Sequence, residues 1–488
     1  MDDPMQRDVQ DESLKNQWLY VFVFFALLYG FTAQRGVSWQ DNGEYQWRSW
    51  NGQIVSQEYG LCRSHPLYMT IGYGISKLPL PFPMSLNIFS AVMGAVAVAN
   101  FSMLSRFFTK KSFLILGLTF CLGLSHTLWW LSTITETYTT HLAIFTFELL
   151  FLFRYIKTGR PSNLYWLALF NGLGISVHNL ALLSIPVYAG VVIYMLSKRQ
   201  TNFRHIFSAG LFWAAGLSPL IAASAFKLSG EPMGFGELVM DILVGGYGDE
   251  VFNVAGVTKF ALPNAFFSSL NFANLLAIFA LAGIVALLKN FRRAGLLRKT
   301  LVFLTTVHFL FYIRYSVPDQ FMFILPSLVL IGLCSANAFE FFKVPRKIQD
   351  RLCYLLLAFA VLQPLVFSGV CSFAQRHELA KRERTIDRRN EARYWIKPWK
   401  NNERSAQLWS EAVVELVPQG SVLIADNSSR YALFFARERS GKDITVIHGA
   451  PEKFDREEAY FSVTQIKSSP EHREWQKIRS FPRLYELK

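Results

Sequence analysis

Apolar runs recur along the chain from Trp18 to about Cys371, each near the length of a bilayer-crossing helix and each closed by a short polar stretch. A hydrocarbon core of about 30 Å takes roughly 20 apolar residues per helix. The pattern predicts spans at 18–34, 84–105, 112–130, 137–155, 163–177, 180–197, 206–226, 264–288, 300–314, 319–341 and 352–373, about 11 transmembrane helices. The stretch 163–197 is read as two short helices turning at "GISVHN", because one helix there would reverse every later segment. The expectation is a mainly α, polytopic membrane domain over 18–373, with a tail at 1–17 and a first loop at 35–83.

Beyond about Ser372 the pattern changes. "AQRHELAKRERTIDRRNEARYWIKPWKNNER" is densely charged, and then "AQLWSEAVVELV", "SVLIA", "SRYALFFARERSG" and "DITVI" alternate between helical and strand periodicity. Residues 374–488 are expected to form a small α/β domain. Its basic start, with Trp395 and Trp399, suits either a segment lying on lipid headgroups or a solvated linker helix.

Composition agrees with a membrane protein: 488 residues are 52% hydrophobic and only 17% charged, outside the habit of soluble domains. The net charge of +14 does not point to nucleic acid, because the basic residues sit in loops between apolar runs. They also set the orientation. With the N-terminus in the cytoplasm, the inner loops at 106–111, 154–160, 198–204, 289–299 and 343–351 hold 18 Lys and Arg, and the outer loops hold 7 over a greater length. The first loop and the C-terminal domain then lie outside, as expected of a multi-pass inner (plasma) membrane protein with a periplasmic C-terminal domain. Asp2, Asp3, Asp8, Asp11 and Glu12 replace the basic start of a secretory signal, so the first run reads as a retained anchor. The five cysteines form no CxxC or Cys/His pattern, which argues against a disulfide framework or structural zinc.

Ionisable residues are costly inside a bilayer, so their depth is informative. On this threading Asp41, Glu44, His65, His126, Glu136, His141, His178, Asn179, Arg314 and Asp319 gather at the outer face. The middle holds little besides His308 and Glu148, the latter expected to snorkel or pair with Arg154 near the inner edge. A transporter would place such groups near the midplane. A ring at one face suits transfer chemistry between a lipid headgroup and an outside partner, with a lipid or glycan transporter and a non-catalytic scaffold as alternatives.

In "SWQDNGEYQWRSWNGQ", residues 38 to 53, a helix would put Asp41 and Glu44 on one face. Asp41 reads either as a helix cap beside a solvated acid or as a general base removing a proton from an acceptor hydroxyl. "DNGEY", His65-Pro66, "SHTLWWLSTITETY" at 125–138, "GISVHN" at 174–179, "RYSVPDQFMFILPS" at 314–327 and the tail "VPQGSVLIADNSSRYALFFARE" occur in that order. In this order they resemble the bacterial family related to animal, plexin-modifying protein O-mannosyltransferases, of the GT-C glycosyltransferase superfamily. The chain departs from that pattern in lacking a Pro-Gly-Tyr-Pro run after His65-Pro66 and a long outer repeat domain.

The resemblance implies an inverting glycosyltransferase that moves a sugar, mannose in that family, from a polyprenyl-phosphate donor to an extracytoplasmic protein or glycan acceptor such as a Ser/Thr hydroxyl. Asp41 and Glu44 occupy its acidic motif, with Asp41 the first choice of base. His65, Glu136, Tyr138, His178 and Asp319 occupy other motif positions. A phosphate is already a good leaving group, so one base is enough, and Arg48, Arg63 or Arg314 would hold the phosphate. Each has a structural alternative. Glu136 can cap a helix, His178 can be a hydrogen-bonded turn residue, and Asp319 can bridge Arg314. A divalent cation held by Asp41, Glu44 and donor phosphate is a minority alternative, and no metal ligand set is read from the sequence. "GGYGDE" at 245–250 is a flexible turn or a gate.

Overall fold

The computed structural model describes residues 4–56, 58, 60–248, 251, 258, 260–315, 317–379, 388–449, 459–463, 475–477 and 484–487. Asp249 and Glu250 of "GGYGDE", and 380–387 of the charged stretch, lie outside the described residues. The membrane part comprises α1 (Pro4–Thr32), α2 (Gln40–Asn51), α3 (Pro66–Ser76), α4 (Met84–Ser105), α5 (Ser112–Gly123), α6 (His126–Leu131), α7 (Thr137–Thr158) and α8 (Pro161–Val177). It continues with α9 (Ile185–Ser197), α10 (Phe203–Gly216), α11 (Ser218–Gly230), α12 (Phe235–Leu243), α13 (Ala261–Asn271), α14 (Leu276–Lys289), α15 (Leu296–Arg314), α16 (Leu325–Ser335), α17 (Ala338–Phe342) and α18 (Arg346–Arg376).

Every predicted span falls on one of these helices or on a consecutive pair, but the spans are more broken than the apolar pattern suggests. Among the described residues five helical stretches are long and apolar enough to cross a bilayer, or up to seven if the bent pairs α10–α11 (57°) and α13–α14 (94°) each count as one span. Asn16–Thr32, Ser112–Gly123 and Gln320–Ser335 are apolar but shorter. The breaks have local causes. Pro219 lacks the N–H that would continue α10 into α11. Between α13 and α14, Asn274 Oδ1 accepts the Leu276 N–H at 2.6 Å, an Asx turn just before the new helix, whose capping position is Leu275.

The helix α7 is central, with 78% of its apolar window buried, whereas α18 has 28% of its window buried and faces outward. The helices α8 and α10 cross closely at Gly172 and Gly216, where any side chain would collide with the other helix's backbone. Glu148 on α7 does not snorkel. It is fully buried, accepting from Asn171 Nδ2 (3.1 Å) and from the Tyr188 hydroxyl (2.9 Å), while Trp213 Nε1 donates to Asn171. Hydrogen-bond donors from α8 and α9 reach it where Arg154, exposed at the surface, does not.

The C-terminal part has the expected α/β alternation: α19 (Glu391–Ile396), α20 (Ser405–Leu416), β1 (Val422–Ala425), α21 (Arg430–Ser440) and β2 (Thr445–His448). Three further strands, β3 (Tyr460–Val463), β4 (Trp475–Lys477) and β5 (Leu484–Leu487), complete a sheet of order β2-β1-β3-β5-β4, parallel among the first three and antiparallel beyond. Its core of Trp409, Val413, Leu423, Leu433 and Phe461 also takes in Val37 and Trp39 from the root of α2. Trp39 Nε1 donates to Ser405 Oγ at 2.8 Å. The sheet domain is therefore built onto the first loop.

Trp395 and Trp399 are partly buried against α6 and do not sit on a free solvated linker. Trp395 stacks on Trp130 (5.5 Å) and Trp399 packs against Trp129 (5.6 Å). His126 Nε2 donates to the Trp395 carbonyl and Trp130 Nε1 to that of Tyr394. Aromatic area and satisfied ring N–H groups hold this connector against α6.

Candidate functional site

The helix α2 carries the site, and two features fix it. It stops at Gly52, whose left-handed φ of 67° lets its N–H reach the carbonyls of Arg48 and Ser49. Arg48 then organises the loop that follows. Its Nε donates to the Gln53 carbonyl, Nη1 to Glu44 and to the Arg63 carbonyl, and Nη2 to the carbonyls of Ile54 and Ser64. A guanidinium has five N–H donors, and all five are occupied, in a side chain 4% exposed. Arg48 therefore holds the loop and has no donor left for a phosphate, which corrects the sequence-based expectation.

Asp41 and Glu44 do share a face, and Arg63 joins them, with Nη2 at 3.1 Å from Asp41 and 3.4 Å from Glu44. The two acids differ in setting. The Glu44 side chain is 5% exposed with both oxygens engaged, by Arg48 and Arg63, and burial raises its pKa against the pull of Arg63 and Arg48. The Asp41 side chain is 54% exposed. Asp41 is not the cap of α2: the capping position is Trp39, and Asp41 lies in the first turn, where the helix dipole favours a carboxylate. Arg63 Nη1 also donates to the Tyr247 hydroxyl at 3.0 Å, so the "GGYGDE" segment reaches the site through Tyr247.

The remaining motif residues converge here. Asn42 Nδ2 donates to Glu136 (2.9 Å) and to the Thr135 carbonyl (2.6 Å), pinning α2 to the start of α7, where Glu136 is the N-cap and accepts the Thr137 N–H. Burial, then the charges of Asp41 and Asp319, raise the Glu136 pKa well above the carboxylate range. His65 sits at φ 49°, a left-handed conformation that is unfavourable for a residue with a Cβ. Its ring holds it there. Nδ1–H donates to the Val177 carbonyl at 2.7 Å, and burial, then His178, keep the imidazole neutral, so Nε2 accepts the Tyr45 hydroxyl at 3.2 Å.

His178 caps the following turn by accepting the Leu180 N–H on Nδ1 at 3.2 Å, and burial lowers its pKa to about 4. Its ring lies 5.4 Å from His65, 5.2 Å from Tyr138 and 5.9 Å from His141.

Burial, then the Asp41 charge, raises the Asp319 pKa to about 6. Unfolded, it would titrate near 4, so the folded state bears a cost for its ionisation. That cost is absent below about pH 4, grows as pH rises through 6 and is constant above. Asp319→Asn is expected to raise stability at pH 7 by about 1–2 kcal/mol, an advantage that disappears between pH 6 and 4 in thermal unfolding; a gap independent of pH would refute this.

Arg314 is not part of the cluster. Its Nη2 donates to the Val251 carbonyl and no ion pair joins it to Asp319, because α15 ends with the guanidinium turned toward the 251 segment. A divalent cation does not fit the acid pair, since Arg63 lies against both carboxylates. Among the described residues no group of three or more His, Cys, Asp or Glu is placed to hold a metal.

Beside Glu44 and Arg48 lies a cavity of about 980 Å³ between α2, α11 and α21. It brings in residues the sequence reading missed, above all Arg430 and Tyr431. Arg430 forks onto Glu58 at 2.5 and 2.6 Å across a separation of 372 residues, and no local pattern could signal that.

In three-dimensional comparison, the chain matches the crystal structure of ArnT from Cupriavidus metallidurans bound to undecaprenyl phosphate. The TM-score is 0.60 at 12% identity, covering 96% of this chain and 97% of that one. The chain shares the overall fold of that protein. The apo state of the same ArnT matches with a TM-score of 0.52 at 12% identity, covering 92% and 93% of the two chains. No family model matches the sequence, and no curated protein does.

Proposed function

We propose that the chain is a membrane glycosyltransferase that moves a sugar from a polyprenyl-phosphate donor to an extracytoplasmic hydroxyl. The observation that carries this reading is the exposed carboxylate of Asp41 held by Arg63 at the end of the helix bundle where His65, Glu136, Tyr138, His178 and Asp319 converge. Convergence from distant segments on one rim is what a transferase meeting a headgroup needs, and the ArnT likeness supplies the precedent of a polyprenyl phosphate on this fold.

Asp41 takes the proton of the acceptor hydroxyl as its oxygen attacks the anomeric carbon. The carbon–oxygen bond to phosphate breaks on the opposite face, its electrons leave with the phosphate, and the configuration inverts. Arg63 exchanges one carboxylate contact for a phosphate oxygen as that charge develops. Glu44 holds Arg63 in place. His178, with Nδ1 accepting a backbone N–H, presents Nε2–H as a donor. The resemblance noted from the sequence favours mannose as the sugar.

The test is reconstitution in nanodiscs with a radiolabelled polyprenyl-phosphate mannose, and a glycan profile of cells with and without the chain. Label should leave the lipid in a form that depends on an added acceptor. The proposal fails if Asn51→Cys, at the exposed end of α2, reacts with an impermeant maleimide only from the cytoplasmic side, since the donor and acceptor would then face the wrong compartment.

A further inference from the structure

At the other end of the bundle lies a smaller cavity, of about 410 Å³, between the start of α8 and the turn from α9 into α10. The helix α8 runs 17 residues from Pro161, which lines this cavity, to Val177 beside His178. At 1.5 Å per residue that is about 25 Å, so the cavity and the acid cluster face opposite leaflets.

Its charge is unbalanced. Arg199 lines the wall, and Arg160, Lys198 and Arg204 each adjoin a lining residue. From Leu149 to Gly230 the chain has no Asp or Glu at all, and none of the ion pairs among the described residues uses these four cations. Cations that no carboxylate neutralises keep their attraction for an anion. The cavity also lies at the N-terminus of α10, 14 residues long, where free N–H groups and the helix dipole favour negative charge. Arg199 has φ 56°, a left-handed backbone that glycine adopts more easily. What an arginine adds at that turn is its guanidinium.

The neutral donors agree. Thr201 lines the cavity, is only 8% exposed, and its hydroxyl has no hydrogen-bond partner. A buried hydroxyl left unpaired is the kind of group a ligand completes. His205 Nδ1 lies 2.7 Å from the Tyr165 hydroxyl. With that hydroxyl donating, the ring proton is on Nε2, which becomes a donor. Outside the mouth, Phe203, Phe207 and Leu211 recur every four residues along α10 and are exposed, as is Ile193 on α9. An apolar strip therefore starts at a lining residue, Phe203, and runs into the bilayer.

We propose that this cavity holds the phosphodiester of an anionic membrane phospholipid, in the leaflet opposite the acid cluster. Arg199 meets the two free phosphate oxygens as a fork, the Thr201 hydroxyl and the His205 Nε2–H each add a hydrogen bond, and the acyl chains follow Phe203, Phe207 and Leu211. The strip commits the ligand to a lipid, because a free phosphate would leave it unused. A zwitterionic headgroup brings its own cation, for which this part of the chain supplies no carboxylate. The inference is independent of the glycosyltransferase reading and concerns a second site.

The experiment uses the full chain in phosphatidylcholine nanodiscs containing a trace of phosphatidylglycerol with a diazirine on the acyl carbon nearest the glycerol. Crosslinks should concentrate in 193–211, fall about tenfold in Arg199→Gly and severalfold in Thr201→Val. Both variants should unfold at a temperature no lower than the wild type, since glycine suits the left-handed turn and valine replaces a hydroxyl that has no partner. Loss of label then reports the site and not the fold. A phosphatidylcholine probe with the same diazirine should label these residues no more than Arg199→Gly is labelled by phosphatidylglycerol. Labelling unchanged in both variants, or equal labelling by the phosphatidylcholine probe, overturns the proposal. So does earlier unfolding of both variants, which would make the two side chains internal supports. Inorganic phosphate at the probe's concentration should leave the label in place; its removal would assign the cavity to a free anion and also overturns the proposal.

Discussion

Asp41→Asn is expected to lower the transfer rate by about 10²–10⁴-fold while expression and donor binding persist. The amide keeps the volume of the side chain but cannot take a proton. Because the Asp41 side chain is 54% exposed and Glu44 retains both arginines, stability should change by less than about 1 kcal/mol. Rates at saturating donor, with lipid-donor affinity measured separately, separate chemistry from binding. A substituted protein that keeps more than a tenth of its rate would move the base elsewhere. Glu44→Gln is the next variant to examine, and it should perturb folding as well as rate, because Glu44 is buried between two cations.

Arg48→Lys is expected to destabilise the protein by about 3–5 kcal/mol, despite preserving the charge. An ammonium offers three donors from a point and cannot reproduce a planar array of five. Carbonyls at Gln53, Ile54, Arg63 and Ser64 compete for what remains, and Glu44 loses a partner. Thermal unfolding in nanodiscs, together with protease sensitivity of the first loop, measures this. The folded fraction should bind donor as the wild type does. A stable variant with weakened donor affinity would instead return Arg48 to the phosphate.

The helical spans and the α/β alternation of the tail were legible because both depend on periodicities that neighbouring residues carry. The register of Asp41 with Glu44 follows from helix geometry in the same way, whereas the approach of Arg63 to both does not. What short-range pattern cannot carry is competition among partners. Arg48 and Arg63 look equivalent in sequence, and only the carbonyl-rich path of 53–64 saturates the first and leaves the second to join the acids. Arg314 seemed placed to meet Asp319 five residues on, but the backbone leaving α15 takes its guanidinium to Val251. Arg430 gave no signal at all, because its role depends on a sheet domain seated on Val37 and Trp39. Bends at Pro219 and Asn274 broke spans that hydropathy reads as continuous.

The closed shell of hydrogen bonds around Arg48 also bears on how such a protein can change its diet over generations. The ring bearing the acids is locked to its own backbone, so substitutions there are purged as folding defects before they can alter which molecules are accepted. Residues 58, 247 and 430 come from separate stretches of chain and only lean on that ring. Relatives that modify different molecules should therefore differ at these leaning positions first.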